Sequence, residues 1–69
     1  MIIPKVGEIW SRNGYEWKIK DITLAEGDTF IFVYPIIGRK TERVFTLETF
    51  VGLFEPTLEV KLDYLLEEE

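Results

Sequence analysis

In two stretches of the chain an apolar residue stands at every second position, the period of a strand with one buried face. In Tyr15-Glu16-Trp17-Lys18-Ile19-Lys20-Asp21-Ile22, apolar Tyr15, Trp17 and Ile19 alternate with Glu16, Lys18 and Lys20. The pattern predicts a strand with Tyr15 and Trp17 turned to the core. The run Val6-Gly7-Glu8-Ile9-Trp10-Ser11 before it is also β-prone, and the two meet at Arg12-Asn13-Gly14. Asn-Gly tolerates positive φ at both central positions of a tight turn, so a hairpin is predicted there.

Leu24-Ala25-Glu26-Gly27-Asp28 predicts a polar turn, and Thr29-Phe30-Ile31-Phe32-Val33-Tyr34 after it is apolar on both faces. Such a run suits a central strand, with Phe32 in the core. Pro35 cannot donate to a ladder and should end the pairing; Gly38-Arg39-Lys40 then turns the chain into a fourth strand over residues 41–45. Thr46 can cap a short helical turn in which Leu47, Phe50, Val51 and Phe54 share one face. Gly52 and Pro56 keep it short. Beyond Pro56, Leu58, Val60, Leu62 and Tyr64 alternate with Glu59, Lys61 and Asp63, which favours a fifth strand. Leu58, Leu62, Leu65 and Leu66 also share a helical face, and a C-terminal helix is the rival expectation.

Four strands, one helical turn and a fifth strand give an all-β or mainly β chain, laid out as a five-stranded SH3-like small barrel. Residues 1–69 form a single domain, with 65–69 expected to be a frayed acidic tail. The run Val6-Gly7-Glu8-Ile9-Trp10, then Asn13-Gly14-Tyr15 with Trp17 and Ile19, Phe32-Val33-Tyr34, Gly38, and Phe50 with Phe54 resembles small barrel proteins of unknown function common in bacteriophages, prophages and bacteria. The resemblance spans about residues 6 to 55 and implies a phage-type barrel.

Composition narrows the chemistry. A chain of 69 residues hides only about 60% of the surface its unfolded form exposes. Without cysteine or histidine it has neither disulfides nor the usual zinc ligands, so aromatic and aliphatic packing must supply the stability. Ser-His, Cys-His and thiolate catalysis are excluded on the same ground. Gly27, Gly38 and Gly52 are isolated, so no phosphate loop is present. Glu26 with Asp28, or Glu55 with Glu59, are the paired carboxylates that remain, and acids beside a turn are ordinarily just solvated. The expectation is a non-enzyme without metal or cofactor.

The N-terminus lacks the charged and apolar segments of a signal peptide, and no stretch approaches the roughly 20 apolar residues of a membrane span. A cytoplasmic protein is expected, in the host cytoplasm if phage-encoded, with no membrane partner. Charge is asymmetric: through Phe45 seven Lys/Arg face six Asp/Glu, whereas from Thr46 one Lys faces seven Asp/Glu, giving +1 and −6 for a net −5.

Three functions remain. The favoured one is an interaction module that binds a protein through exposed apolar residues, Ile36 and Ile37, framed by charge, as an adaptor or as an inhibitor of a host protein by acidic mimicry. The second is a nucleic-acid-binding barrel that uses Lys18, Lys20, Arg39, Lys40 and Arg43. The third is a minor phage structural component. Ile2, Ile3, Ile36, Ile37, Leu65 and Leu66 exceed what a tiny core hides, which makes a homo-oligomer a further expectation.

Overall fold

A computed structural model describes residues 2–68 as a mainly β chain of five antiparallel strands and two helices. The strands are β1 (Ile9–Arg12), β2 (Tyr15–Ala25), β3 (Asp28–Pro35), β4 (Arg43–Thr46) and β5 (Glu55–Pro56). Helix α1 (Leu47–Leu53) joins β4 to β5, and α2 (Leu58–Glu68) follows β5. Met1 and Glu69 lie outside the described residues.

Asn13 (φ 52°) and Gly14 (φ 82°) both take positive φ between the paired residues Arg12 and Tyr15, which makes the predicted two-residue hairpin. The turn expected over residues 24–28 shrinks to Glu26 (φ 52°) and Gly27 (φ 83°), with Ala25 pairing Asp28. Strand β2 is therefore longer than its alternation implied. A bulge keeps it in contact with the core as far as Ile22: Ile19 faces Val33, but the next pair is Asp21 with Phe32. The extra residue, Lys20, shifts the side-chain parity, so Ile22, opposite Ile31, returns to the inner face beside Ile19. At the other end, the Ile19 carbonyl accepts from Gly7 N–H (2.9 Å) and Ile19 N–H donates to the Glu8 carbonyl (2.9 Å). Two residues thus oppose one, and Gly7 at φ 92° supplies the left-handed conformation this needs.

The sheet order is β4-β3-β2-β1-β5, that of an SH3-like small barrel in which a long bent β2 serves both halves. β4 and β5 are the two sheet edges, and α1 runs between them, packing on β3 and β4. The core comprises Trp10, Ile19, Ile31, Val33, Phe50, Phe54 and Val60. Phe50 and Phe54 stack (centroids 4.5 Å, 11°), Trp10 lies against Phe50 at 5.1 Å, and Trp17 and Phe45 meet Phe54 at 6.0 and 5.3 Å. The residues predicted to share a face of the helical turn do so, capped by Thr46, whose Oγ1 accepts from Thr49 N–H at 3.3 Å.

Four expectations are corrected. Tyr15 is exposed, because the hairpin carries the start of β2 past the end of the core. Trp17 is only half-buried. Phe32 lies on the outer face of β3: Ile31 and Val33 are fully buried, so the alternate residues Phe30, Phe32 and Tyr34 point away, and a domain this small has one interior. The strand favoured over residues 58–64 is a helix. Pro56 offers no N–H to continue the β1 edge, and at Thr57 the chain changes course: its hydroxyl donates to the Ile9 carbonyl (2.9 Å) while its own carbonyl accepts from Lys61 N–H (3.0 Å). Helix α2 includes residues 65–68 of the stretch 65–69 read as a tail, and Glu69 lies outside the described residues.

Candidate functional site

The β1–β2 hairpin, the end of β3 and the β5–α2 junction converge on a groove of about 520 Å³. Tyr15, Pro35, Ile37, Pro56 and Leu58 form its apolar lining, with Ser11, Glu16 and Thr57 as its polar members. Each arrives for a local reason. Tyr15 follows the two-residue turn. Pro35 and Pro56 end their strands and leave the backbone beyond them outside the ladder. Ile37 is 88% exposed, held out on a segment anchored by Ile36 N–H donating to the Glu16 carbonyl (3.1 Å). Of the two isoleucines expected at a binding surface, Ile37 lines the groove; Ile36 is half-buried and positions it.

Leu58 also begins a second apolar surface. In α2, Val60 is buried and Tyr64 half-buried against the body, whereas Leu58, Leu62, Leu65 and Leu66 are 51–72% exposed. These leucines recur at i, i+4, i+7 and i+8, so they form one stripe on the side of the helix opposite Val60. Glu59 and Asp63 run along one edge of the stripe and Lys61 along the other. Groove and stripe meet at Leu58 to make one apolar surface. Sequence reasoning missed Tyr15, Pro56 and Leu58 because alternation put Tyr15 inside and made Leu58 a strand residue. The helical spacing of the leucines was the available signal.

The expected basic set separates into three places. Lys18 lies opposite Tyr34 in the ladder, and Lys40 Nζ sits 5.2 Å from the Tyr34 ring centre while donating to the Ile36 carbonyl at 3.0 Å. Lys20 is paired with Glu42 (2.9 Å), and this hydrogen bond raises its pKa from the ordinary lysine value. Lys20, Tyr34, Lys40 and Glu42 border one shallow concavity. Arg43 is on the other side, sharing a cleft of about 370 Å³ with Arg12, Trp17, Val44 and Phe45. Arg12, which no sequence pattern singles out, lies 5.8 Å from the Phe54 ring centre. Arg39 is exposed in the loop before β4. The three places do not form one stripe.

Glu8 acts structurally, since its Oε1 accepts from Lys5 N–H (2.8 Å) and from Trp10 Nε1 (3.1 Å) and so anchors the buried indole. Among the described residues no group of three or more acidic, histidine or cysteine side chains could hold a metal ion. No helix among them is long and apolar enough to cross a membrane. Comparison of the chain with protein-family models, curated proteins and solved structures finds no match in any of the three.

Proposed function

We propose that this chain is a non-enzymatic small-barrel interaction module that binds a protein partner through the groove around Ile37. The supporting observation is that Ile37 and Tyr15 stand exposed over the groove and that Leu58 extends the same apolar surface along α2. Contiguous exposed apolar area of this kind, rimmed by polar residues, marks association sites. The resemblance to small bacteriophage barrels makes a host protein the expected partner and the host cytoplasm the expected setting. Acidic residues from Thr46 onward favour a partner surface of opposite charge.

The test is a pull-down from bacterial lysate, with and without nuclease, using the wild-type chain and Ile37→Asp. A protein retained by wild type after nuclease treatment and lost with Ile37→Asp is the expected result, because the variant puts a charge in a desolvated contact. Retention that vanishes with nuclease would replace this proposal with the second one.

That second reading is a nucleic-acid-binding barrel, supported by Tyr34 with Lys18, Lys20 and Lys40 around it. Lysines about a partly exposed ring suit a single strand. Against it, Lys20 is paired with Glu42 and Arg43 lies in a separate cleft, so the basic set does not gather around this ring. Single-strand binding would show a slope of about 0.7 per neutralised phosphate in log K against log salt.

A further inference from the structure

We infer that the outward face of α2 docks a basic amphipathic helix of a partner protein, an inference that rests on the protein-binding function and names the chemistry of the partner. Leu58, Leu62, Leu65 and Leu66 form a continuous ridge, and nothing within the described residues covers it. A ridge at i, i+4, i+7 and i+8 on one helix is the surface into which a second helix packs its own side chains.

Charge identifies the occupant. Glu59 and Asp63 follow the edge of the ridge beside Leu62 and Leu66, and they line the shallow cleft between α2 and Val6, Gly7, Glu8 and Ile9. The ion pairs among the described residues are Lys5 with Glu67 and Lys20 with Glu42; neither Glu59 nor Asp63 makes a direct ion pair, and Lys5 attracts Asp63 only without direct contact. A helix lying on the leucines presents its flanking side chains to this edge. Lysine or arginine there would meet two carboxylates beside a desolvated contact, where charge complementarity fixes register and partner choice. A second copy fits worse. Each chain carries a net charge of −5, and a two-fold antiparallel pairing of α2 with itself would set the Glu59/Asp63 edge against its own like charges. A parallel pairing offers only Lys61 against both acids.

The experiment titrates the full isotope-labelled chain with three synthetic peptides: a Leu/Lys amphipathic helix, a Leu/Glu helix with the same apolar face, and a scrambled Leu/Lys peptide of equal charge. The Leu/Lys helix is expected to bind at least about tenfold more tightly than either of the others, about 1.4 kcal/mol, and to shift α2 resonances. Leu62→Asp, at an exposed position, should abolish that binding with the circular dichroism spectrum unchanged. Should this variant unfold, Glu59→Lys with Asp63→Lys still decides, because it should transfer the preference to the Leu/Glu helix. Equal binding of the Leu/Glu helix or of the scrambled peptide overturns the inference, as does a concentration-dependent dimer of the free chain that Leu62→Asp dissociates. A lysate protein retained through Ile37 but indifferent to Leu62→Asp and to the charge reversal would leave the adaptor function standing and refute this one; failure to retain any protein would bring down the adaptor function itself.

Discussion

Along α1 and its C-cap, Leu47, Phe50, Val51 and Phe54 recur at helical spacing and pack into the barrel, whereas in α2 Leu58, Leu62, Leu65 and Leu66 recur just as regularly and face solvent. The cause is connectivity. Helix α1 must cross from one sheet edge to the other, so its apolar face covers the barrel interior and Phe50 and Phe54 stack beneath it. Helix α2 leaves the barrel after β5 and is tied back by Val60, by the Thr57 hydroxyl on the Ile9 carbonyl and by Lys5 with Glu67. Helical periodicity says which residues share a face; the path of the chain decides whether that face meets its own protein. Each leucine is 51–72% exposed and so forgoes only part of the about 1.5–3 kcal/mol that full burial contributes, a part that a partner covering the stripe would recover.

Truncating one residue from each face tests this difference most directly. Phe50→Ala removes a fully buried ring in contact with Trp10 and Phe54, and should cost about 3–5 kcal/mol, enough to unfold most of a domain this small. Leu62→Ala should change stability by no more than about 0.5 kcal/mol, since an exposed side chain leaves no cavity. Urea unfolding followed by tryptophan fluorescence measures both. A cost for Leu62→Ala near that of Phe50→Ala would mean that the stripe is already covered in solution.

The difference between the helices also marks how far the sequence was legible. Asn13-Gly14, the alternation through Trp17 and Ile19, the two-sided apolar run of β3 and the capped turn after Thr46 are local signals, and the fold follows them. What depends on other parts of the chain was hidden. The bulge at Lys20 compensates for Asp21 on the inner parity, and no residue type there announces it. Alternation cannot tell Tyr15 from Trp17, because only the position of the core relative to the hairpin separates them. Leu58, Val60, Leu62 and Tyr64 fit a strand as well as a helix until Pro56 and Thr57 are seen to end the pairing with β1. Of the candidate site, Ile37 was visible as an isoleucine beyond a strand-ending proline. The groove it overlooks was not, since its walls come from three separated segments.

The two helices also begin differently, and here the expected effects are smaller. Thr46 closes the first turn of α1 by accepting from Thr49 N–H, and Thr46→Ala should cost about 1 kcal/mol. Thr57 at the start of α2 directs its hydroxyl outside the helix, to Ile9. Thr57→Val, which keeps the shape and removes the donor, should cost about 1 kcal/mol by leaving a partly buried carbonyl unpaired. The two variants should differ in location: Thr46→Ala loosens α1 and the core beneath it, whereas Thr57→Val loosens α2 while Phe50 and Phe54 stay packed. Site-resolved hydrogen exchange distinguishes them, and equal loosening of both helices in both variants would show that α2 folds as one unit with the barrel.

The smallest expected effect is at the far end of α2, where Lys5 Nζ meets Glu67 at 2.6 Å. The hydrogen bond to Glu67 raises the Lys5 pKa above the ordinary lysine value of 10.5; charge attraction from Glu67, Glu8 and Asp63 acts in the same direction and desolvation in the opposite one. A cation whose pKa is higher in the folded state contributes its stability fully below the unfolded value and loses it as pH rises through the folded value. The contact should therefore be intact at neutral pH and fail only in strongly alkaline solution. Both partners are exposed, so the effect is small and screened by salt. Carbon chemical shifts in the last turn of α2 should move toward coil values above pH 10.5 in wild type. In Lys5→Gln they should already be shifted at pH 7 and show no such alkaline step. Lys20, raised in the same way by Glu42, titrates in the same range but lies on β2, so its deprotonation should leave the α2 shifts unmoved. Identical alkaline behaviour in wild type and Lys5→Gln would mean that contacts other than Lys5 with Glu67 hold α2 in place.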